Sequence, residues 1–323
     1  MTKKSKPIIK LTFKSAISMI GAVFIFVLLL KNASLSSNAV SNALQMCAKM
    51  LIPSLFPLVV ASEIMTNTGA IERLTYKLSK PISKILGVHK NATAPYFLGL
   101  LGGYTSSCKS AVILYKSSKI SKEDCESIIA MSNMPSLAFM TGFVGIGIFG
   151  DSTIGCILCL INIVSSLILG LINNIFFKHK TEIYANTIDH KKNNNNFFKS
   201  LVNAIAHSAH SMLIICACVV FFSVLIEVLK LYLNEIYIPE QIKNILLGML
   251  EITKGISTSI TIQDVSLRAI ACAFLIGWSG LCVHFQVIAL CEDTDISFKK
   301  YFIFKGLQGI ICTILAWIIF YFS

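Results

Sequence analysis

Two polar, glycine-bearing segments interrupt apolar stretches, one in each half of the chain. The first contains Gly102-Gly-Tyr-Thr-Ser-Ser-Cys-Lys109, and the second comes as Leu250-Glu-Ile-Thr-Lys-Gly255 and Gly277-Trp-Ser-Gly-Leu-Cys-Val-His-Phe-Gln286. Charged residues inside a membrane are costly, so each is a hypothesis for a functional site. Interrupted apolar segments in matching positions of two halves are typical of a transporter's binding site. The pattern therefore favours solute transport.

The first segment carries groups that an anion needs. Glycines permit close approach of the backbone to a ligand, hydroxyls donate hydrogen bonds, and the amides at a helix start favour negative charge. Lys109 adds a positive charge. The alternative is that the small residues only pack helices and that Lys109 reaches the cytoplasmic surface. The predicted substrate-binding residues here are Gly102, Gly103, Thr105, Ser106, Ser107 and Lys109.

The second half of the chain contains a second set of charged and polar residues. Glu251 and Lys254 are three residues apart, so they can pair on one helical face. If Lys254 faces the substrate instead, it mirrors Lys109, and two cations suit a dicarboxylate. His284 follows a glycine break and can bind substrate or take a proton, or it can be a packing residue. The predicted substrate-binding residues of the later segments are Asn133, Glu251, Thr253, Lys254, Ser279, His284 and Gln286.

Signatures of catalysis are missing from the sequence. It has no zinc-ligand spacing, nucleophile elbow, phosphate-binding loop or paired carboxylates. We therefore expect no enzyme activity, no catalytic or metal residues and no cofactor. The missing nucleotide signature favours a secondary carrier over an ATPase, and the coupling ion, H⁺ or Na⁺, stays open.

Composition indicates a polytopic membrane protein. The 323 residues are 55% hydrophobic and 14% charged, with a mean hydropathy of +0.74. The net charge of +12 comes from lysines between apolar segments, which argues against nucleic-acid binding. Most of the eleven cysteines lie in apolar stretches and predict no disulfide framework.

Windows of about 19 residues predict an all-α membrane protein with about seven spanning helices and two re-entrant hairpins. The predicted spans are 12–30, 45–65, 127–149, 154–177, 209–232, 268–290 and 302–322, and the hairpins are 94–115 and 244–260. Because further spans follow, the first apolar stretch is expected to be a retained helix, not a cleaved signal.

Lysine distribution predicts the topology. A cytoplasmic amino terminus leaves twenty Lys and Arg residues inside and four outside, which fits the positive-inside rule. The halves then run antiparallel, as an inverted-topology repeat. The predicted organisation is an amino-terminal tail and first transmembrane helix (1–43), repeat 1 (44–178), a polar cytoplasmic linker (179–199) and repeat 2 (200–323).

Several motifs, in order, resemble the YlbJ (SpoVV) family of sporulation integral membrane proteins, within the wider nucleoside-recognition or Gate-domain group. The motifs are Leu51-Ile-Pro-Ser-Leu-Phe-Pro57, the Gly102–Lys109 segment, Ile120-Ser-Lys-Glu-Asp124, Ser132-Asn-Met-Pro135, Leu250–Gly255 and Gly280–Gln286. Four positions depart from the family motifs, where Thr105 stands for proline, Ser107 for glycine, Cys108 for alanine and Cys282 for serine.

The resemblance implies a fold related to concentrative nucleoside transporters. It also implies export of dipicolinic acid from the mother cell across the outer forespore membrane. The expected partners are a small anionic solute and membrane lipid, with a homo-oligomer or other sporulation membrane proteins left open. Two alternatives stand beside this function: a transporter of nucleosides or other polar metabolites, and a non-transporting scaffold for spore assembly.

Overall fold

The computed structural model describes residues 13–68, 70–177 and 197–321. All regular secondary structure in these ranges is helical, which confirms the predicted all-α fold. Residues 1–12 and most of the predicted linker at 179–199 lie outside the described residues.

The described part of the first half contains eight α-helices. Its α-helices are α1 (Phe13–Lys31), α2 (Ala33–Met46), α3 (Ile52–Asn67), α4 (Ala70–Leu86), α5 (Thr93–Gly102), α6 (Tyr104–Lys116), α7 (Lys122–Ser132) and α8 (Ser152–Phe176). A π-helical turn, Cys47–Leu51, joins α2 to α3, and a π-helix, Phe139–Phe149, lies between α7 and α8.

The second half follows the same plan. Its α-helices are α9 (Phe197–Leu233), α10 (Glu240–Gly248), α11 (Ile252–Thr258), α12 (Val265–Trp278), α13 (Leu281–Leu290) and α14 (Lys299–Tyr321). In each half a long helix is followed by two short helices, then by a helix with an internal break, then by a long closing helix. The helix α4 has no counterpart in the second half.

Five helical stretches among the described residues are long and apolar enough to cross a membrane. They are Ala33–Met65, Ser152–Phe176, Phe198–Leu233, Val265–Leu290 and Lys299–Tyr321. Each overlaps one of the predicted spans. Their number and apolar character support an integral membrane protein.

Two of the seven predicted spans are not among these five. The prediction of one helix over 127–149 is wrong, because residues 133–136 are not helical. Pro135 has no amide hydrogen to continue the helical bonding there. The π-helix beyond this break has 11 residues, short of the 20 or so that cross a membrane. Within α1, the apolar helix Met19–Lys31 is also short.

The helices α5 and α6 fold back on each other and form the first hairpin. The turn is at Gly103, whose φ of +81° is open to glycine but strained for other residues. A Cβ built on Gly99 would lie 3.1 Å from the Cβ of Ser107, eight residues later. A continuous helix would separate these positions by about 12 Å. The predicted interruption of 94–115 is therefore present.

The helices α10 and α11 form the second hairpin by a different contact. A Cβ built on Gly248 would lie 2.8 Å from the Cα of Gly255. In a continuous helix seven residues span about 10 Å, so the chain reverses between these glycines. Leu275 of α12 packs against both. The predicted interruption of 244–260 is present as well.

Lysine-rich segments gather at one end of the bundle. Lys122 pairs with Asp295 at 2.8 Å, which joins the α6–α7 loop to the α13–α14 loop. Asn91 donates to the carbonyl of Lys119, and Asn174 donates to that of Lys84. Arg268, near the start of α12, instead contacts the carbonyl of Ile148 near the end of the π-helix. The segments predicted to be cytoplasmic thus lie side by side.

Candidate substrate site

The two breaks of the first half meet each other. A Cβ built on Gly103 would lie 3.3 Å from the backbone nitrogen of Ser136, so only a glycine allows this approach without strain. Close by, the hydroxyls of Ser107 and Ser132 share a short hydrogen bond. The turn of the first hairpin therefore lies against the break at 133–136.

The two breaks of the second half are joined by backbone hydrogen bonds. The amides of Leu281 and Cys282 donate to the carbonyls of Met249 and Leu250, at 2.8 and 2.9 Å. The indole nitrogen of Trp278 also donates to Met249, at 3.0 Å. These bonds satisfy carbonyls that the chain reversal leaves without helical partners. The second hairpin is thus attached to the break between α12 and α13.

A cavity with a volume of about 70 Å³ lies where the breaks of both halves converge. One side is apolar and comes from the segment 51–59 and from α9. The other side comes from the hairpins and broken helices and combines apolar side chains with a few polar ones, so the cavity as a whole is mainly apolar. Its polar and glycine residues are Gly102, Gly103, Tyr104, Thr105, Ser136, Glu251, Thr253 and Gln286. Six of the predicted site residues are in this set.

Glu251 is the charged side chain in the cavity wall, and it caps α11. Its carboxylate accepts from the amides of Thr253 and Lys254, at 2.9 and 2.6 Å, and from the Thr253 hydroxyl at 2.5 Å. The side-chain pair that the spacing of Glu251 and Lys254 allowed is not formed. The ammonium of Lys254 instead pairs with Glu227 of α9, at 3.1 Å. The cap occupies the carboxylate, and Lys254 extends away from it.

The start of α6 also lies at the cavity, but unlike the start of α11 it has no side-chain cap. Gly103 precedes the helix, and no side chain caps it. Tyr104 and Thr105, the first two residues of α6, line the cavity. A helix start attracts negative charge because its first amides have no intrahelical acceptor. Three helix starts at the cavity differ in how they are capped: α11 carries its own carboxylate, the first amides of α13 donate to Met249 and Leu250, and α6 has no side-chain cap.

Ser106 and Ser107 do not belong to the cavity wall. The hydroxyl of Ser106 donates to the carbonyl of Gly102 at 3.1 Å, and Ser107 is buried against Ser132. Both serines hold the first hairpin together, which is the packing role that the sequence left open.

Lys109 is directed away from the cavity as well. Its ammonium lies 3.5 Å from the carboxylate of Glu63, and its side chain is 43% exposed. His207 of α9 approaches the same carboxylate at 3.8 Å. The expectation that Lys109 and Lys254 both face the solute therefore differs from their observed contacts, since each pairs with a glutamate on a long helix.

Asn133 and His284 meet through Tyr301, behind the cavity. The Asn133 amide donates to the Tyr301 hydroxyl at 2.6 Å, and His284 Nδ1 lies 2.8 Å from the same oxygen. Ser279 is buried at the α12–α13 break, where its φ is +80°. None of these three predicted residues lines the cavity, although each lies at or beside a break that does.

Sequence reasoning did not select Lys305, which is fully buried in α14. Its ammonium donates to the carbonyl of Asn133 and to the side-chain oxygen of Gln308, both at 2.8 Å. A lysine and a glutamine three residues apart in an otherwise apolar helix were the available signal. Tyr301 was missed for a different reason, since its contacts come from distant parts of the chain.

Comparison with known proteins gives one informative relative. The sporulation integral membrane protein YlbJ of Bacillus subtilis (strain 168) is 26% identical over 335 aligned positions, which cover 92% of this chain and 81% of the relative. No protein-family model matches the chain, and no solved structure matches it.

Proposed function

We propose that this chain, which belongs to the YlbJ family of sporulation integral membrane proteins, is a secondary transporter of a small anionic solute. The proposed substrate is dipicolinic acid, moved out of the mother cell across the outer forespore membrane. In this proposal the amino terminus and the lysine-rich end are cytoplasmic. The two hairpins are re-entrant and enter from opposite sides, as in the nucleoside-transporter folds that the motifs resemble.

One observation carries the proposal. Interrupted helices from both halves meet at one cavity, and the uncapped start of α6 opens into it. Non-helical backbone at membrane depth is tolerated where it is buried in protein or lines a water-filled cavity. The amides of an uncapped helix start supply hydrogen-bond donors and partial positive charge for a carboxylate. The apolar wall opposite suits an aromatic ring.

A neutral polar solute, such as a nucleoside, is the second candidate. The cavity wall contains the carboxylate of Glu251 beside Thr253 and Gln286. Among the described residues that line the cavity, no lysine or arginine offsets this carboxylate. Hydroxyl and amide donors of a neutral solute would suit these acceptors. We give this candidate second place because the start of α6 favours negative charge.

The decisive experiment is uptake by proteoliposomes that contain the purified protein. Labelled dipicolinate and labelled uridine are compared under the same gradient. We expect dipicolinate to accumulate and uridine not to. Accumulation of uridine alone would favour the second candidate, and accumulation of neither would contradict transport of these solutes and leave the scaffold hypothesis.

Two threonine variants test whether the substrate binds at the start of α6. Thr105→Val removes a hydroxyl at the α6 start, and we expect at least about a tenfold loss of dipicolinate uptake, which is about 1.4 kcal/mol. Thr141→Val is the matched control, because its hydroxyl bonds back to the carbonyl of Leu137 and does not line the cavity. Equal uptake by the two variants would show that the α6 start is not part of the substrate site.

A further inference from the structure

The ammonium of Lys305 lies in a pocket of oxygen atoms behind the break at 133–136. The carbonyl of Asn133 and the amide oxygen of Gln308 each accept from it at 2.8 Å. The carbonyl is available because the chain leaves the helical path at that residue. The position of the ammonium therefore depends on the same break that contributes Pro135 and Ser136 to the cavity wall.

Further oxygens lie in the same layer. The Gln308 amide nitrogen is 3.4 Å from the side-chain oxygens of both Asn162 and Ser165. The side-chain oxygen of Asn133 is buried and has no hydrogen-bond partner among the described residues. Neutral carbonyl and amide oxygens, including those of unwound helices, are the ligands that bind alkali cations inside transporters.

Among the residues that the structure describes, no carboxylate pairs with this ammonium. None of the ion pairs found in the described residues includes Lys305. The other titratable groups near it are Tyr301, His284 and Cys312. A buried lysine is costly unless its charge is compensated. Here the compensation comes from oriented dipoles, as it would for a bound metal cation.

We propose that Lys305 is a tethered monovalent cation, which fills a cation site formed by the Asn133 carbonyl and the Gln308 amide oxygen at the break at 133–136. The site therefore needs no sodium to hold the break in place. The cation site stands on the contacts of Lys305 alone, and the expectation for uptake also rests on the proposed function. Removal of the side chain to Cβ leaves space and oxygen ligands for a free cation.

Thermal unfolding of the detergent-purified protein tests this site. Melting temperatures are compared in NaCl, KCl and choline chloride at equal ionic strength. We expect the wild type to melt at the same temperature in all three salts. Lys305→Ala should melt lower in choline chloride and recover by about 2–4 °C, saturably, in NaCl or KCl. Lys305→Met, which refills the space, should not recover.

Lys300→Ala is the matched control, because Lys300 lies on the same helix and donates to the Ser127 hydroxyl. It should show no preference among the salts. A Lys305→Ala protein that melts equally in all three salts would overturn the proposal. If that variant does not fold, the wild type decides: insensitivity to sodium supports the tethered cation, and a sodium-dependent melting temperature contradicts it.

Uptake provides a second readout. Replacement of sodium by choline should leave dipicolinate uptake by the wild type unchanged. Uptake that requires sodium would contradict the tethered cation and leave transport intact. Absence of uptake in either salt would contradict the proposed function, while the melting temperatures still decide the cation site.

Discussion

The ammonium of Lys254 lies 3.1 Å from the carboxylate of Glu227, and this pair ties the second hairpin to α9. Lys109 and Glu63 make the equivalent tie between the first hairpin and α3, at 3.5 Å. In each half the lysine is on the second helix of the hairpin and the glutamate is on the long helix before it. The ties are thus a shared feature of the two halves.

Replacement of Glu227 tests the tie in the second half. Lys254 and Lys230 both reach this carboxylate, and the side chains of Lys254 and Glu227 are about a quarter exposed. We expect Glu227→Gln to lower stability by about 1 kcal/mol, since partly buried pairs exceed the value of exposed ones. Thermal unfolding measures this. Glu235→Gln, at an exposed position, should be neutral. Equal melting temperatures for the two variants would show that the tie contributes little.

Substitution of Gly103 tests the contact between the first two breaks. An alanine there would be strained at φ +81°, and its Cβ would meet Ser136 at 3.3 Å. We expect Gly103→Ala to cost at least about 1 kcal/mol. Gly306→Ala is the control, because no heavy atom lies within 4 Å of a Cβ built there. Within the helix α14 this control should be neutral or stabilising. A stable Gly103→Ala protein would contradict the described turn.

Removal of the Tyr301 hydroxyl tests the link between Asn133 and His284. Both partners are buried, so Tyr301→Phe leaves two polar groups without a hydrogen bond. We expect a loss of about 1–3 kcal/mol in thermal unfolding. Tyr237→Phe, at a fully exposed position, should have no effect. The prediction fails if the two variants unfold alike.

The turn of the first hairpin could be predicted because its signal is local, since Gly103 favours a break in helical bonding wherever the chain runs. The break at 133–136 was not predicted, because the predicted span 127–149 ran through Pro135, although that residue is an equally local signal. The partner of Lys254 could not be predicted in this way. Its spacing from Glu251 suggested a local pair, but the capping of α11 occupies that carboxylate, and Glu227 becomes a neighbour only after the bundle has formed.

Lys305 shows a different limit of sequence reasoning. A hydropathy window averages Lys305 with its apolar neighbours, so the window still predicts a membrane span. One of its two acceptors, the Asn133 carbonyl, is 172 residues away in the chain. The lysine distribution is a signal of another kind, because it groups whole segments of the chain, and the topology that it predicts stays a prediction. Loops with predicted cytoplasmic lysines contact one another in the structure, because topology constrains whole segments and not single contacts.

Labelling of substituted cysteines tests which end is cytoplasmic. Glu292 lies at the lysine-rich end and Gln263 lies in the loop beside Arg268, and both are exposed. In intact, non-sporulating cells that express the protein in the cell membrane, a membrane-impermeant maleimide should label Gln263→Cys and not Glu292→Cys. The background carries Cys156→Ser, since Cys156 is an exposed natural thiol. Glu292→Cys should react after the cells are opened. The reverse pattern in intact cells would invert the proposed orientation.

The contact between Gly248 and Gly255 has a mechanical consequence. Where these two glycines meet, no side chain of the hairpin separates α10 from α11, so the two helices cannot move apart there without losing this packing. The two helices of the hairpin are therefore expected to move together as one rigid unit. Any movement of it must be absorbed at its ends, in the segments 234–239 and 259–264, which lie outside the two helices of the hairpin.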